Sequence, residues 1–343
     1  MCAAMKVLQV IDTLHIGGAE QVVITLTNLL RQKAVPTDVL LLVDSGPLEK
    51  KLNGAHVHHL NRTNKYSFAK LKETHNICRQ YNIVHVHMRH CYAYIRLAQL
   101  VFNGKYKLIF QDHYGDININ QQIPFGLKGI FKPINYIGVS PALVQWAKEK
   151  LNIAEAKCYL LHNTVMNTIG DHQAADNGKV MVVSNIRSTK NIEFAIDLFA
   201  GTAYQLTIYG NKENEQYYRE VKASCKLRDV RIVEGQTNIT SVYEGYDIAI
   251  HCSRSETGPL VLLEYMSQGL PFLAYKTGAV ADVIANELPL YFINNFNKQE
   301  WLTRIKEISS VKDHSALVLA FQKYFSPESY INTCLQVYQN VSC

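Results

Sequence analysis

The stretch 253–271 concentrates the residue types best suited to chemistry. Its loop carries Ser253, Arg254, Ser255, Glu256 and Thr257, then Gly258 and Pro259, and an apolar helical pattern follows at once. A helix that starts there leaves the backbone N–H groups of Leu260 and Val261 without intrahelical acceptors. Those donors and the helix dipole together favour a phosphate. Pro259 has no N–H to lose and suits a first helical position. Glu256 lies in the loop and Glu264 eight residues later, inside the helix. Ionised carboxylates only accept hydrogen bonds, so two of them beside an anion site suit sugar hydroxyls better than phosphate.

A second group sits in 183–191, where a strand pattern runs into Arg187 and Lys190. A diphosphate leaving group gathers charge as its bond breaks, and fixed cations stabilise it. A metal would be the other solution, but no Asp-x-Asp pair occurs in the chain. No metal and no cofactor are expected, and the cationic side chains are the substitute.

These residues need a frame, and the hydrophobic pattern supplies one. Strand-like apolar runs alternate with helix-period segments, the pattern of parallel sheets wrapped by helices. In the first half the strands are expected at 6–12, 38–43, 56–60, 83–87, 107–111, 136–139 and 158–161, with helices at 19–32, 68–81, 92–102 and 141–150. Ser140 and Pro141 read as a cap and a first-turn proline. The stretch 165–178 breaks the rhythm and is the expected linker. A second series follows, at 180–184, 205–209, 230–234, 247–251, 271–274 and 290–293. The tail 314–341 is helical and strandless, and is expected to cross back onto the first domain. Two open parallel sheets imply a cleft with ligands at the carboxyl ends of the strands. The domains are expected at 1–164 and 165–325, with 326–343 as the returning helix.

At 343 residues, two cores are the natural expectation. Apolar residues make up 48% and charged residues 19%, which excludes a disordered or fibrous chain. The eight cysteines form no C-x-x-C pair and read as thiols of a reducing compartment. No secretory signal precedes the first strand, and no apolar run approaches the length of a membrane span. A cytoplasmic location is expected, with any membrane met from its inner face. Residues 1–163 hold 19 Lys and Arg against 10 Asp and Glu, whereas 164–343 hold 16 against 19. The basic first half suits an anionic partner, such as phospholipid headgroups or a lipid-linked diphosphate. In it, 125–132 mixes Phe125, Ile130 and Phe131 with Lys128 and Lys132, as a membrane-facing segment or a partly buried helix would.

The Glu256-x7-Glu264 spacing, Gly258 between the two carboxylates, and the run 265–271 (Tyr-Met-Ser-Gln-Gly-Leu-Pro) resemble the signature of glycosyltransferase family four, the retaining GT-B enzymes. Ile16, Gly17, Gly18, Ala19 and Glu20 resemble that family's first strand-to-helix turn, where glycines allow close approach to the donor diphosphate or acceptor. The turn is not G-x-G-x-x-G, which argues against a dinucleotide site. His113 falls where family members present a histidine to the donor sugar. His85 and His87 alternate on one strand and are expected on opposite faces, with His87 the weaker candidate. Lys190 matches the family lysine. At the usual arginine position stands Asn185, with Arg187 two residues later.

The resemblance implies an α/β GT-B fold and transfer of a sugar from a nucleotide-diphosphate donor, a UDP-sugar, with retention. The acceptor would be a glycan or a lipid-linked glycan in surface polysaccharide or glycoconjugate synthesis, with an anionic membrane as a further partner and no nucleic acid. It assigns the diphosphate to Lys190, Arg187, Gly17, Gly18, Gly258 and the amides of Leu260 and Val261, the sugar to Glu256 and His113, and the ribose to Glu264. Two other readings share the fold: a nucleotide-sugar epimerase, and a non-catalytic glycan-binding scaffold.

Overall fold

The computed structural model describes residues 5–166, 169–172, 176–227, 230–236 and 240–342. The expected linker, 165–178, lies partly outside them. The chain divides into two compact units, residues 1–164 with 327–343, and residues 165–326.

Unit 1 is built on a seven-stranded sheet of β1 (Val7–Ile11), β2 (Thr37–Leu41), β3 (Val57–His59), β4 (Ile83–His87), β5 (Lys107–Asp112), β6 (Tyr136–Gly138) and β7 (Cys158–Leu160). Every pairing is parallel and the order is β3-β2-β1-β4-β5-β6-β7. The central strands β1 and β4 are buried along their whole length. Helices cover both faces of such a sheet, which is why its strands read as continuous apolar runs. The helices are α1 (Gly18–Gln32), α2 (Phe68–Cys78), α3 (Arg89–Val101) and α4 (Pro141–Glu149). The Ser140 side chain accepts from the Leu143 N–H at 3.3 Å, and Pro141 opens α4, as the sequence leads one to expect. Helix α3 starts three residues before its expected position, after Met88, whose φ of 73° turns the chain sharply out of β4.

The C-terminal helix, Pro327–Ser342, belongs to this unit. Its buried residues Tyr330, Ile331, Cys334, Val337, Tyr338 and Val341 fall at helical spacing on one stripe. The stripe closes a core made with Val7, Leu26, Leu29, Ile83, Ile109 and Ile137.

Unit 2 repeats the plan. Its strands are β8 (Lys179–Val183), β9 (Gln205–Tyr209), β10 (Arg231–Val233), β11 (Ile248–His251), β12 (Phe272–Tyr275) and β13 (Phe292–Ile293), in the order β10-β9-β8-β11-β12-β13, all parallel. Around them run α5 (Ile192–Phe199), α6 (Glu215–Leu227), α7 (Leu260–Gln268), α8 (Gly278–Ile284), α9 (Lys298–Ser310) and α10 (Ser315–Phe325). The expected strand at 290–293 shortens to β13, because Pro289 opens a 3-10 turn that takes up 289–291. Of the helical tail, α10 stays in unit 2, with Leu317, Ala320, Phe321 and Phe325 in its core; only the part from Pro327 joins unit 1.

Both sheets are Rossmann-like α/β layers, the fold class expected of the chain. In each, strand order reverses beside one strand, β1 next to β4 and β8 next to β11, and ligands of such sheets bind at the carboxyl ends there.

Candidate functional site

In unit 2, the carboxyl ends of β8 and β11 deliver two loops that bond to each other. The Arg254 N–H donates to the Thr189 carbonyl at 2.8 Å, and Arg254 Nη2 donates to Asn191 Oδ1 at 2.7 Å. The first loop ends in a 3-10 turn, Ser188–Lys190, closed by Asn191 in the left-handed region at φ 54°, which asparagine tolerates better than most residues.

This brings Lys190 and Glu256 together. Lys190 Nζ donates to Glu256 Oε1, and the two side chains are 15% and 8% exposed. His251, the last residue of β11, places Nε2 3.2 Å from the same oxygen, close but not aligned as a hydrogen bond. Burial alone would raise the Glu256 carboxyl. The Lys190 ammonium and the His251 ring overturn that and hold it well below the usual carboxylate range. Glu256 is therefore a carboxylate at every physiological pH, pinned by a cation that has further N–H donors to offer.

Gly278 makes the close approach possible. At φ 79°, it leaves room where a Cβ would come within 2.9 Å of the Glu256 Cβ and 3.0 Å of its carbonyl oxygen. The Ala279 N–H donates to the Thr257 carbonyl at 2.7 Å, tying the start of α8 to the same loop.

Helix α7 begins at Leu260, and Pro259 occupies its capping position at ψ 107°, one residue earlier than the sequence places it. Leu260 and Val261 are still in the first turn, with N–H groups that no helix carbonyl can reach. Gly258 precedes the cap. Glu264 lies one turn into α7, where the Tyr243 hydroxyl donates to its Oε2 at 2.9 Å.

Arg187 follows a different path from Lys190. Its Nε lies 3.6 Å from Glu213 Oε2, and Asn185 Nδ2 donates to Glu213 Oε1 at 2.7 Å. The residue at the expected arginine position and the arginine two places later therefore share one carboxylate, on the loop after β9. Arg187 and Lys190 share a loop, with Glu213 beside the first and Glu256 beside the second.

In unit 1, Gly17 and Gly18 form the turn from β1 into α1. A Cβ on Gly17 would first meet the carboxylate end of Glu20, and one on Gly18 would meet nothing within 4 Å. The chain's own packing does not demand glycine at 18.

His113 follows β5, and its neighbour Asp112 holds the loop. Arg89 donates to Asp112 through Nε and Nη2, at 3.0 and 2.7 Å, and the Tyr136 hydroxyl donates at 3.0 Å. The Arg89 guanidinium stacks between Tyr114 and Trp146. The placement of His85 and His87 on opposite faces is corrected: residues two apart on a strand share a face. Their rings stack at 4.6 Å, and His87 stacks on His113 at 5.2 Å. His87 Nδ1 and His113 Nε2 are 2.9 Å apart. His87 is thus the buried support of His113. Sequence reading missed this partnership, together with His251, Gly278 and Tyr243, although His251 carried one usable signal in ending a strand at the switch point.

Burial first, and the neighbouring histidines second, push His87 well below the usual imidazole value. Burial brings His85 down to about 3 and His113 to about 4. A folded-state value below the unfolded one means that the unfolded chain takes up protons first as pH falls. Stability is then complete above about pH 6.5 and declines toward pH 4, by about 1.4 kcal/mol per pH unit for each such histidine. Unit 1 should weaken more steeply than unit 2, where only His172 and His314 shift the same way. The two tryptophans, Trp146 and Trp301, report one unit each. Urea midpoints followed by fluorescence in Trp301→Phe and Trp146→Phe variants at pH 7 and 5 check it; equal losses would refute it.

Among the described residues, one group, Asp12, His90 and Cys91, brings three possible metal ligands together. His90 pairs with Asp12 at 2.9 Å, while burial holds the Cys91 thiol protonated.

The family described as "Glycosyltransferase Family 4" matches residues 16–166, and that described as "Glycosyl transferases group 1" matches residues 170–318. No curated protein sequence matches the chain significantly. Among solved structures, the chain is similar to Anabaena Alr3699/HepE in complex with UDP-glucose, at a TM-score of 0.81 and 16% identity over 98% of this chain and 99% of that one. It is also similar to an S. aureus TarM variant in complex with UDP and α-GlcNAc-glycerol, at 0.78 and 11% over 97% and 99%. The lipopolysaccharide outer core galactosyltransferase WaaB gives 0.72 and 12% over 98% and 99%. These likenesses speak for the fold, that of the GT-B glycosyltransferases. With one family match on each unit, residues 16–166 match a glycosyltransferase family 4 domain and residues 170–318 a group 1 glycosyltransferase domain, which support a glycosyltransferase.

Proposed function

We propose that the protein transfers a sugar, with retention and without a metal, from a UDP-sugar held by unit 2 to a glycan or lipid-linked acceptor docked on the basic unit 1. The observation that carries this reading is the meeting of Lys190 with Glu256 beside the first turn of α7, at the switch point of the second sheet. The first-turn amides of Leu260 and Val261, beside Gly258, and the spare donors of Lys190 take the diphosphate, as backbone and ammonium donors do where charge develops. Glu256 accepts from hydroxyls of the transferred sugar, and Glu264, braced by Tyr243, accepts from the ribose. Gly17 and Gly18 admit a phosphate or acceptor close to the backbone. His113 is assigned to the sugar. Arg187 adds positive charge to the same loop. HepE with UDP-glucose and TarM with UDP support the choice of donor.

Leaving-group departure builds positive charge on the anomeric carbon and negative charge on the diphosphate, and this chain supplies fixed cations and dipoles for the second. No side chain is assigned as nucleophile. Exposed Ile119, Phe125, Ile130 and Ile134 lie in the same stretch as exposed Lys128 and Lys132, and in this reading they meet an anionic membrane. No helix among the described residues is long and apolar enough to cross one.

Donor consumption measured with and without an acceptor, in EDTA, tests the reading. Acceptor-dependent release of UDP that persists in EDTA is the expected result. Loss in EDTA with rescue by manganese or magnesium would end the metal-independent account. A free altered sugar nucleotide formed without acceptor would replace transfer by epimerisation.

A further inference from the structure

A chain of buried hydrogen bonds runs from His113 to the C-terminal helix. His87 Nδ1 pairs with His113 Nε2 at 2.9 Å, and His87 Nε2 with Gln9 Oε1 at 2.8 Å. Gln9 Nε2 then donates to the Tyr338 hydroxyl at 3.0 Å, and that oxygen lies 2.7 Å from His85 Nδ1. Gln9, His85 and His87 are fully buried, and Tyr338 is too. Such a network is costly unless each member is satisfied in one consistent direction.

With the Gln9 amide oxygen toward His87 and its nitrogen toward Tyr338, donor capacity sets the direction of the rest. A carboxamide oxygen only accepts, so His87 Nε2 must carry the hydrogen it gives to Gln9. A neutral imidazole has one N–H, so His87 Nδ1 must accept, and His113 Nε2 must donate to it. At the other end, Tyr338 accepts from Gln9 and gives its single hydrogen to His85 Nδ1. His85 then carries its own hydrogen on Nε2. That nitrogen is buried and makes no well-aligned hydrogen bond, and the Gln111 carboxamide beside the ring is the group that could take its hydrogen.

We propose that Gln9 and Tyr338 are positioning residues that fix His87 and, through it, His113 as Nε2–H tautomers, so that His113 presents Nδ1 as a hydrogen-bond acceptor for a sugar hydroxyl. The assignment of the hydroxyl rests on the donor reading above; the tautomer does not. His113 Nδ1 has no hydrogen-bond partner among the described residues and is not one of the buried unpaired atoms, so the acceptor edge is open. Burial keeps all three rings neutral near pH 7, which an acceptor nitrogen requires. The Tyr338 link also gives the returning helix a use beyond closing a core. It carries the residue that orients the Gln9 amide.

Turning the Gln9 amide over would reverse every donor in the chain and leave His113 as Nδ1–H, and this makes the proposal testable in the wild-type protein. Long-range 1H–15N spectra of 15N-histidine-labelled protein at pH 7, assigned with His87→Gln and His113→Gln, distinguish the two tautomers. Nε2–H on both His87 and His113 is the expected result. An Nδ1–H or cationic His113 overturns the proposal, whatever the enzyme turns over. Gln9→Leu removes the acceptor and should leave His113 a mixture of tautomers, whereas Gln9→Glu keeps an acceptor oxygen and should restore Nε2–H. An unchanged His113 in Gln9→Leu would equally overturn it, and if that variant does not fold, the wild-type and Gln9→Glu spectra decide. A confirmed lock in a protein that consumes no nucleotide sugar would fault the donor reading alone.

Discussion

Lys190→Ala is expected to lower donor turnover by roughly 100- to 1,000-fold, the usual cost of removing one fixed donor from developing charge. It should also destabilise unit 2 by about 3–5 kcal/mol, because Glu256 would be left as a buried carboxylate without its cation. The two effects separate in a double variant. Lys190→Ala with Glu256→Gln should recover most of the stability, since no charge is then stranded, and none of the turnover. Urea unfolding followed at Trp301 and steady-state donor kinetics supply the two readouts. Arg187→Ala, whose side chain faces Glu213 instead, should stay within about tenfold of wild type. A Lys190→Ala enzyme that turns over as well as wild type would remove the cation from the mechanism.

The second large effect separates the two carboxylates of the motif. A group on the transferred sugar acts mainly in the transition state, whereas a group on the ribose acts nearly equally in ground and transition states. Glu256→Gln should therefore lower kcat, by about 100-fold if a charged hydrogen bond of about 2.7 kcal/mol is lost. Glu264→Gln should raise the donor KM about tenfold and leave kcat nearly unchanged. The Tyr243 hydroxyl can still donate to an amide oxygen at 264, so the fold around that position survives. For Glu256→Gln, circular dichroism and melting must show a folded enzyme, because Lys190 loses its counter-charge there. The opposite kinetic pattern would show that the roles are exchanged.

Much of the frame was legible because both sheets are parallel and covered on both faces. Their strands are apolar runs such as Val7–Ile11 and Ile248–His251, and their helices keep a one-sided stripe. Element ends were less legible. Met88 at positive φ starts α3 early, and Pro289 shortens β13, and each is a local backbone choice that a hydrophobic period does not record. The candidate site was legible where its parts are contiguous, in Glu256, Gly258, Leu260, Val261 and Glu264, because a loop and the first turn of a helix are made by neighbours in the chain.

What the sequence determined by itself was the two-sheet plan, the helix start whose first-turn amides have no helical acceptor, and the residue types gathered around it. What only the tertiary structure decided was pairing. Lys190 meets Glu256 across 66 positions, His87 meets His113 across 26, and Gln9 meets Tyr338 across 329. Arg187 settles on Glu213, and Gly278 makes room for Glu256 from another helix. The physical reason is range: secondary structure and caps follow from neighbours within a few residues, whereas a buried charge or imidazole takes its state from whatever the folded sheet sets beside it.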